Sequence, residues 1–597
     1  MTEATLERTG AEHVIWDLSD LYKGVDDPTI ERDLQVADAQ ADQFAARYRG
    51  RVAALSAAEM AQALTETEAL HDHFGRISTF ASLQYSTDTQ NPAFGALVQR
   101  VQEAGSQLQQ KLLFFELEWA NISDEGAAIT ADPALARWRH YLESMLRYRP
   151  HLLSEPEEKI LTEKAVTGVR AWQRFAGEVI SAIEYDLDGK KVPQAIALRQ
   201  LYDHDREARR RAADSVTAGL RSQLRAMTFA FNTILADKAS SDRLRKYPTW
   251  VSSRNMDNEI SDDSVEALVH AVISRYDIVA RYYTVKRRLL GYDELYDYDR
   301  YAPLTAATSR YQWGEARDLI LNAFSRFHPE MARIADEFFE KRWIHAPVSQ
   351  GKRGGAFASP SVTSHHPFVF VNYTGVGRDV MTLAHELGHG VHMYLSRPKG
   401  ELEAGTPLTT AEMASVFGEM LVFDDLMARE PDPTVQLSML ASKIEDTFAT
   451  VFRQISMNRF EDAIHTARRT QGELTTQQFS AHWLETQRAM FGESVTLRDD
   501  YGVWWSYVTH FLHVPGYVYA YAFGELLVLA LFNRYKQEGA AFAPRYLDVL
   551  AAGGSDKPER ILARVGVDLT DPAFWQEGLK EIERMLTHLE SLAAQRS

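Results

Sequence analysis

The chain has 597 residues, 45% hydrophobic and 25% charged, a size and balance that suit a soluble globular protein with more than one packed subdomain. Its formal net charge of −18 argues against nucleic acid or an anionic membrane as the main partner. It contains no cysteine, which excludes disulfides, thiolate metal ligands and a cysteine nucleophile.

The N-terminus "MTEATLERTGAEHVIWDLSDLY" is polar and acidic and lacks the basic-then-apolar pattern of a signal peptide, so a cytoplasmic location is expected. Helical periodicity runs from "LERTGAEH" to about residue 115, then through "EPEEKILTEKAVTGVRAWQRFAGEVISAI" and "REARRRAADSVTAGLRSQLRAMTFAFNTILADKAS". Between the last two, "YDLDGKKV" (185–192) predicts a hairpin with Asp-Gly as its two-residue turn. It marks a seam between an N-terminal helical domain, 1–200, and a second domain, 201–597. Around 343–374 the pattern changes to "WIHAPVSQGKRGGAFASPSVTSHHPFVFVNYTG", rich in glycine, serine and proline. Phe368, Val369, Phe370 and Val371 form a β-prone run there, so a small sheet inserted into a mostly α protein is expected. Helices then resume to the end. The apolar "VPGYVYAYAFGELLVLALFNRY" carries tyrosines, glycines and Glu525, and reads as a helix buried in protein rather than a membrane span.

Directly after the expected sheet comes "RDVMTLAHELGHGVHMYL" (378–395). Leu383, Leu387, Val391 and Tyr394 form an apolar stripe at helical spacing, while His385, His389 and His392 stack on another face. Gly388 and Gly390 are poor helix formers and leave room for something to approach closely. Two imidazoles one turn apart can share a divalent cation, and a catalytic zinc site takes three protein ligands and leaves one position for water. The glutamate of H-E-x-x-H, here Glu386, is placed to take that water's proton. The metzincin extension fails, because His392 and Leu395 stand where its glycine and third histidine belong. The third ligand is then expected from "GTPLTTAEMASVFGEMLVFDDLM", where a threonine pair could cap a helix bearing Glu412 and Glu419 on one face. Val416, Met420 and Phe423 share that face, and acids among apolar residues need a partner. Glu412 is assigned as third ligand and Glu419 as the hydrogen-bond partner of a ligand histidine. Glu401 and Glu403 rank lower, and His392 reads as a packing histidine. Zinc, one ion per chain, is preferred from ligand type.

Amide hydrolysis also needs donors for a developing oxyanion. "WWSYVTHFLHVPGYVYAYAFGE" (504–525) supplies His510 and His513, with Tyr517 and Tyr521 on one face if the segment is helical and Tyr519 pointing elsewhere.

Together "HPFVFVNYTGVGRDVMTLAHELGHGVH", "TTAEMASVFGE" and "HFLHVPGYVYAYAFGE" resemble the oligoendopeptidase F family of thimet-oligopeptidase-like zinc peptidases. "WDLSDLY", "GGAF" and "AAGGSDKPERILARVGVDLTDPAFW" extend the resemblance over most of the chain. It implies a zincin-like helical ellipsoid of two halves around a deep channel, with 201–597 as the catalytic zinc metallopeptidase domain. It implies His385, His389 and Glu412 as zinc ligands and Glu386 as general base. Tyr521 and His510 are its first substrate-side candidates, with Tyr517 and His513 next, and Gly516 replaces an expected aromatic residue, which could loosen the loop. Short unstructured peptides would be the substrates, adding by main-chain hydrogen bonds to an edge formed by Phe368, Val369, Phe370 and Val371. A metallocarboxypeptidase or dipeptidyl carboxypeptidase on the same scaffold is the rival enzyme; it would need a cationic site for a peptide C-terminus, for which Arg353 and Arg498 are available. A non-catalytic peptide-binding protein is the rival of another class.

Overall fold

A computed structural model describes residues 8–304 and 310–595. The mostly α expectation holds. In chain order the elements used below are α1 (Pro28–Tyr48), α2 (Ala57–Thr87), α3 (Pro92–Ala120), β1 (Tyr185–Leu187), β2 (Lys190–Val192), α4 (Arg206–Leu244), β3 (Ile344–His345), β4 (Phe357–Ser359), β5 (Phe368–Phe370), α5 (Gly377–Ser396), α6 (Met413–Arg429), α7 (Phe452–Gln471), α8 (Tyr519–Glu538) and α9 (Pro572–Ala594).

The chain forms two compact units, each assembled from three segments. Unit one draws on Met1–Arg149, Thr308–Arg429 and Arg534–Val567. Its α1, α2 and α3 pack side by side. Asp27, Ser56 and Asn91 cap these helices through their side chains, and Pro28 and Pro92 open two of them. The helical pattern expected from Leu6 onward begins only at Pro28; Leu6 itself lies outside the described residues. Residues 9–27 instead form an irregular strap along the sheet. Ala346 N–H donates to Val14 O at 2.9 Å, and Trp16 packs on His345, Phe368 and Phe370 at ring distances of 5.0, 6.0 and 5.7 Å. The apolar spacing that suggested helix serves this contact.

The expected small sheet has the order β3-β5-β4, with β3 parallel and β4 antiparallel to β5. Here one expectation is corrected. Phe368, Val369 and Phe370 form the central strand, paired on both sides, and with Val371 they are buried. They offer no free edge to a peptide. Among the described residues, the outer strands of this sheet are β3, which is buried, and β4, whose three residues are only half-buried.

Unit two draws on Pro150–Ala307, Glu430–Asn533 and Asp568–Ser597. The β1–β2 hairpin forms as expected, pairing Tyr185 with Val192. Asp188 and Gly189 both have positive φ, 52° and 80°, as a type I′ turn requires. The 39-residue α4 packs on the helix Val169–Ser181 and on the turn-rich segment Asp499–Tyr507. The apolar run containing Glu525 is the buried helix α8. Among the described residues, no helix is long and apolar enough to cross a membrane.

Candidate metal centre and active site

The site is built where α5 and α6 run against each other in unit one. Asp379 in the first turn of α5 accepts hydrogen bonds from the Thr374 hydroxyl and backbone N–H, both at 2.6 Å, which anchors the start of the helix. The two helices approach at glycines on both sides. A Cβ on Gly388 would lie 2.3 Å from Ala414 O, and one on Gly418 would lie 3.2 Å from Ala384 O. Only the missing side chains allow backbones this close. Gly390 serves a different neighbour, the ring of Phe338.

The close crossing brings side chains of both helices to one point. His385 Nε2 and His389 Nε2 each lie 3.3 Å from Glu412 Oε2. One ligand atom from each of the three residues falls within 4.8 Å of the others. Glu412 occupies the junction between the short helix Leu408–Ala411 and α6, where Ser415 Oγ donates to Oε2 at 2.7 Å. The threonine pair does not cap: Thr409 and Thr410 lie buried inside the short helix, whose N-cap is Pro407. Glu419 Oε1 lies 2.6 Å from His385 Nδ1, so that nitrogen carries a proton and Nε2 is the nitrogen turned to the cluster, able to ligate once a metal displaces any proton on it.

The charges in the cluster perturb one another strongly. Burial opposes protonation of His385, but the hydrogen bond and charge of Glu419, with Glu412 and Glu386, push it up to about 9. Burial raises Glu412 too, yet His389, His385 and Ser415 hold it down at about 2. Two imidazole nitrogens and one carboxylate oxygen are a fitting donor set for zinc. Glu386 is not part of the triad. It is 6% exposed, and burial raises its carboxyl above the usual range against the pull of His385 and His389. His385, Glu386 and His389 share a cavity of about 610 Å³ with Phe357 and Ala358 of β4 and with residues 360–363.

His392 is buried, 4% exposed, and lies outside the triad. Glu403 is buried and accepts from Tyr141 N–H at 2.9 Å, and Glu401 accepts from Thr363 N–H, so both brace loops. Arg498 is committed to Asp297 and Asp214, at 2.8 and 2.6 Å. Arg353 lies over the Phe357 ring.

In unit two, His510 Nε2 and Tyr521 OH lie 3.2 Å apart, and the Tyr517 ring is 5.1 Å from that of Tyr521. His513 is exposed and outside this cluster. The segment is not one helix: His510–His513 forms a single turn and α8 starts at Tyr519. Tyr519 points into the core, where its hydroxyl meets Asn258 Nδ2 at 2.9 Å. Gly516 does not loosen the loop between them. It adopts φ 76°, and its N–H is held by buried Glu461 at 2.9 Å. Nothing in the sequence around Glu461 signals that role, nor the outer place of β4 in the sheet.

Residues 199–581 match the sequence profile of Peptidase family M3, and residues 118–185 match that of Oligopeptidase F. The chain belongs to peptidase family M3. Oligopeptidase PepF of Bacillus subtilis is 28% identical over 92% of this chain and 82% of its own length. The crystal structure of a putative peptidase from Chlamydophila abortus superposes with a TM-score of 0.87 at 25% identity, covering 97% of this chain and 98% of that one. Oligoendopeptidase-F from Enterococcus faecium shares the fold, with a TM-score of 0.71 at 22% identity over 95% of this chain and 99% of its own. This M3 member is therefore a peptidase. Because Glu419 orients His385, Glu419→Ala is expected to weaken metal binding about 10–100-fold, read by competition with a chromogenic chelator.

Proposed function

We propose that this M3 peptidase is a zinc-dependent endopeptidase that cuts internal bonds of short unstructured peptides. The observation that carries the reading is the cavity that His385, His389 and buried Glu386 share with Phe357 and Ala358 of β4, beside Glu412, the third member of the cluster. Zinc held by the triad would supply Lewis acidity, polarising the scissile carbonyl and making water easier to deprotonate. Glu386 accepts the proton of the attacking water and returns it to the leaving amine. Its raised proton affinity suits a group that must hold that proton between the two events. Main-chain groups of β4 bind the substrate in extended form, the role that buried Phe368, Val369, Phe370 and Val371 cannot take. The exposed Tyr521 hydroxyl, beside His510, is the phenol that the resemblance implies as an oxyanion donor.

Mass spectrometry of a pool of unstructured peptides of graded length tests the reading. Internal cuts confined to short peptides support it. Trimming only from C-termini assigns the carboxypeptidase activity, and no cleavage with added zinc leaves a peptide-binding protein. Tyr521→Phe separates the phenol's role from the metal's: kcat is expected to fall about 10²-fold with KM nearly unchanged. An equal loss in KM would mean that Tyr521 binds ground-state substrate instead.

A further inference from the structure

Unit two holds a second cavity, of about 40 Å³, lined by Arg300, Tyr301, Glu445, Phe448, Arg453 and Phe491 among others. Its charge is unbalanced. Arg300 is 4% exposed, and its Nε donates to Asp297 O at 2.8 Å. Its guanidinium otherwise faces the rings of Tyr501, Tyr301 and Phe491, 4.8, 5.2 and 5.4 Å away. Arg453 donates from Nη1 to the Tyr301 hydroxyl at 3.2 Å, and its buried Nε has no partner.

The nearby carboxylates are committed to other cations. Glu445 accepts from Lys286 and from the Tyr282 hydroxyl. Asp297 takes Arg498 in a bidentate pair at 2.8 and 3.0 Å. Asp299 lies between Arg206 and Arg209, at 2.8 Å from each. Among the described residues, neither Arg300 nor Arg453 has an ion-pair partner. A buried guanidinium and a half-buried one whose Nε is itself buried, both without a counter-charge, are costly, and a diffusible anion is the simplest remedy.

We propose that this cavity binds a small monovalent anion of about chloride's size, held by the guanidinium groups of Arg300 and Arg453 and by the Tyr301 hydroxyl. Tyr301 accepts from Arg453, so its own proton is free to point at the anion. The volume exceeds the roughly 10–15 Å³ that one water needs and is too small for a stretch of peptide. A lone carboxylate offers the same chemistry. The competing remedy is internal: burial pushes the Tyr301 hydroxyl up, but Arg300 and Arg453 more than offset it, so a tyrosinate could itself supply the charge.

The test is thermal unfolding of the intact protein in chloride, acetate and gluconate at matched ionic strength. Chlorine-35 NMR line widths of the same samples, with bromide as displacer, accompany it. Chloride is expected to broaden the line saturably and to raise the midpoint by equal steps per tenfold concentration above the dissociation constant. Arg453→Gln should abolish both effects, and Tyr301→Phe should weaken them about tenfold or more. If Arg453→Gln does not fold, the wild-type line width and its displacement by bromide still decide the matter. A response to acetate in place of chloride supports the anion site and assigns it to a carboxylate. Identical midpoints in all three salts with no broadening overturn the proposal. Tyrosinate absorbance at neutral pH that Tyr301→Phe removes would then identify the internal remedy.

Discussion

Glu386→Gln is expected to lower kcat about 10³-fold or more while leaving the metal content at one ion per chain. Glutamine keeps the shape and burial of the side chain but cannot take up a proton from water. Glu386 stands outside the triad of His385, His389 and Glu412, so metal binding has no direct need of it. Its charge is opposed by burial, so the neutral variant should unfold at the same temperature or higher. Steady-state hydrolysis of a fluorogenic peptide, metal analysis and thermal unfolding check the three parts together. A variant within about tenfold of wild type would sink the assignment of Glu386 as the proton carrier.

Gly388→Ala carries the largest expected effect on stability. The added Cβ would meet Ala414 O at 2.3 Å and Ser415 Cα at 2.6 Å, and both are backbone atoms that no rotamer change can move. Overpacking of this kind costs about 1–3 kcal/mol or more, and relief requires α5 and α6 to part. Parting them moves Glu412 and Glu419 away from the histidines, so metal affinity should fall with stability. Gly418→Ala, whose Cβ would be no closer than 3.0 Å to Phe324 Cζ, should be milder. Gly177 has open space beside it in the helix Val169–Ser181, and Gly177→Ala should stabilise by about 0.5–1 kcal/mol. Denaturant melts of the three variants, each with and without metal, rank them. Equal stability of Gly388→Ala and Gly177→Ala would contradict the close-crossing account.

The pattern of these effects follows what the sequence could disclose. His385, Glu386 and His389 were legible because the helix itself sets their spacing; no tertiary information is needed to put two imidazoles one turn apart. Glu412 and Glu419 were legible as acids on an apolar face, although Glu412 turns out to sit at a helix junction. Gly388 signalled a close approach by its poor helix propensity, but only the fold names Ala414 as the neighbour. The sheet was legible as an insertion and not as an order. Strands of two or three residues carry too short a pattern to say which is central, and the most apolar of them is the middle strand. The N-terminal strap misled for a related reason: Trp16 and its apolar neighbours pack on that sheet, a non-local contact that imitates helical spacing. Gly516 suggests slack in the sequence because its restraint is non-local: Glu461, 55 residues earlier, holds it through one backbone hydrogen bond.

The most direct test of the central claim is a zinc titration of chelator-treated protein, followed by hydrolysis of a short peptide. Activity is expected to be absent at the start, to rise linearly, and to break at one equivalent per chain. His385→Ala, His389→Ala and Glu412→Ala should each show no such break. Full activity in the chelated protein, or an unchanged break in those variants, would contradict the account.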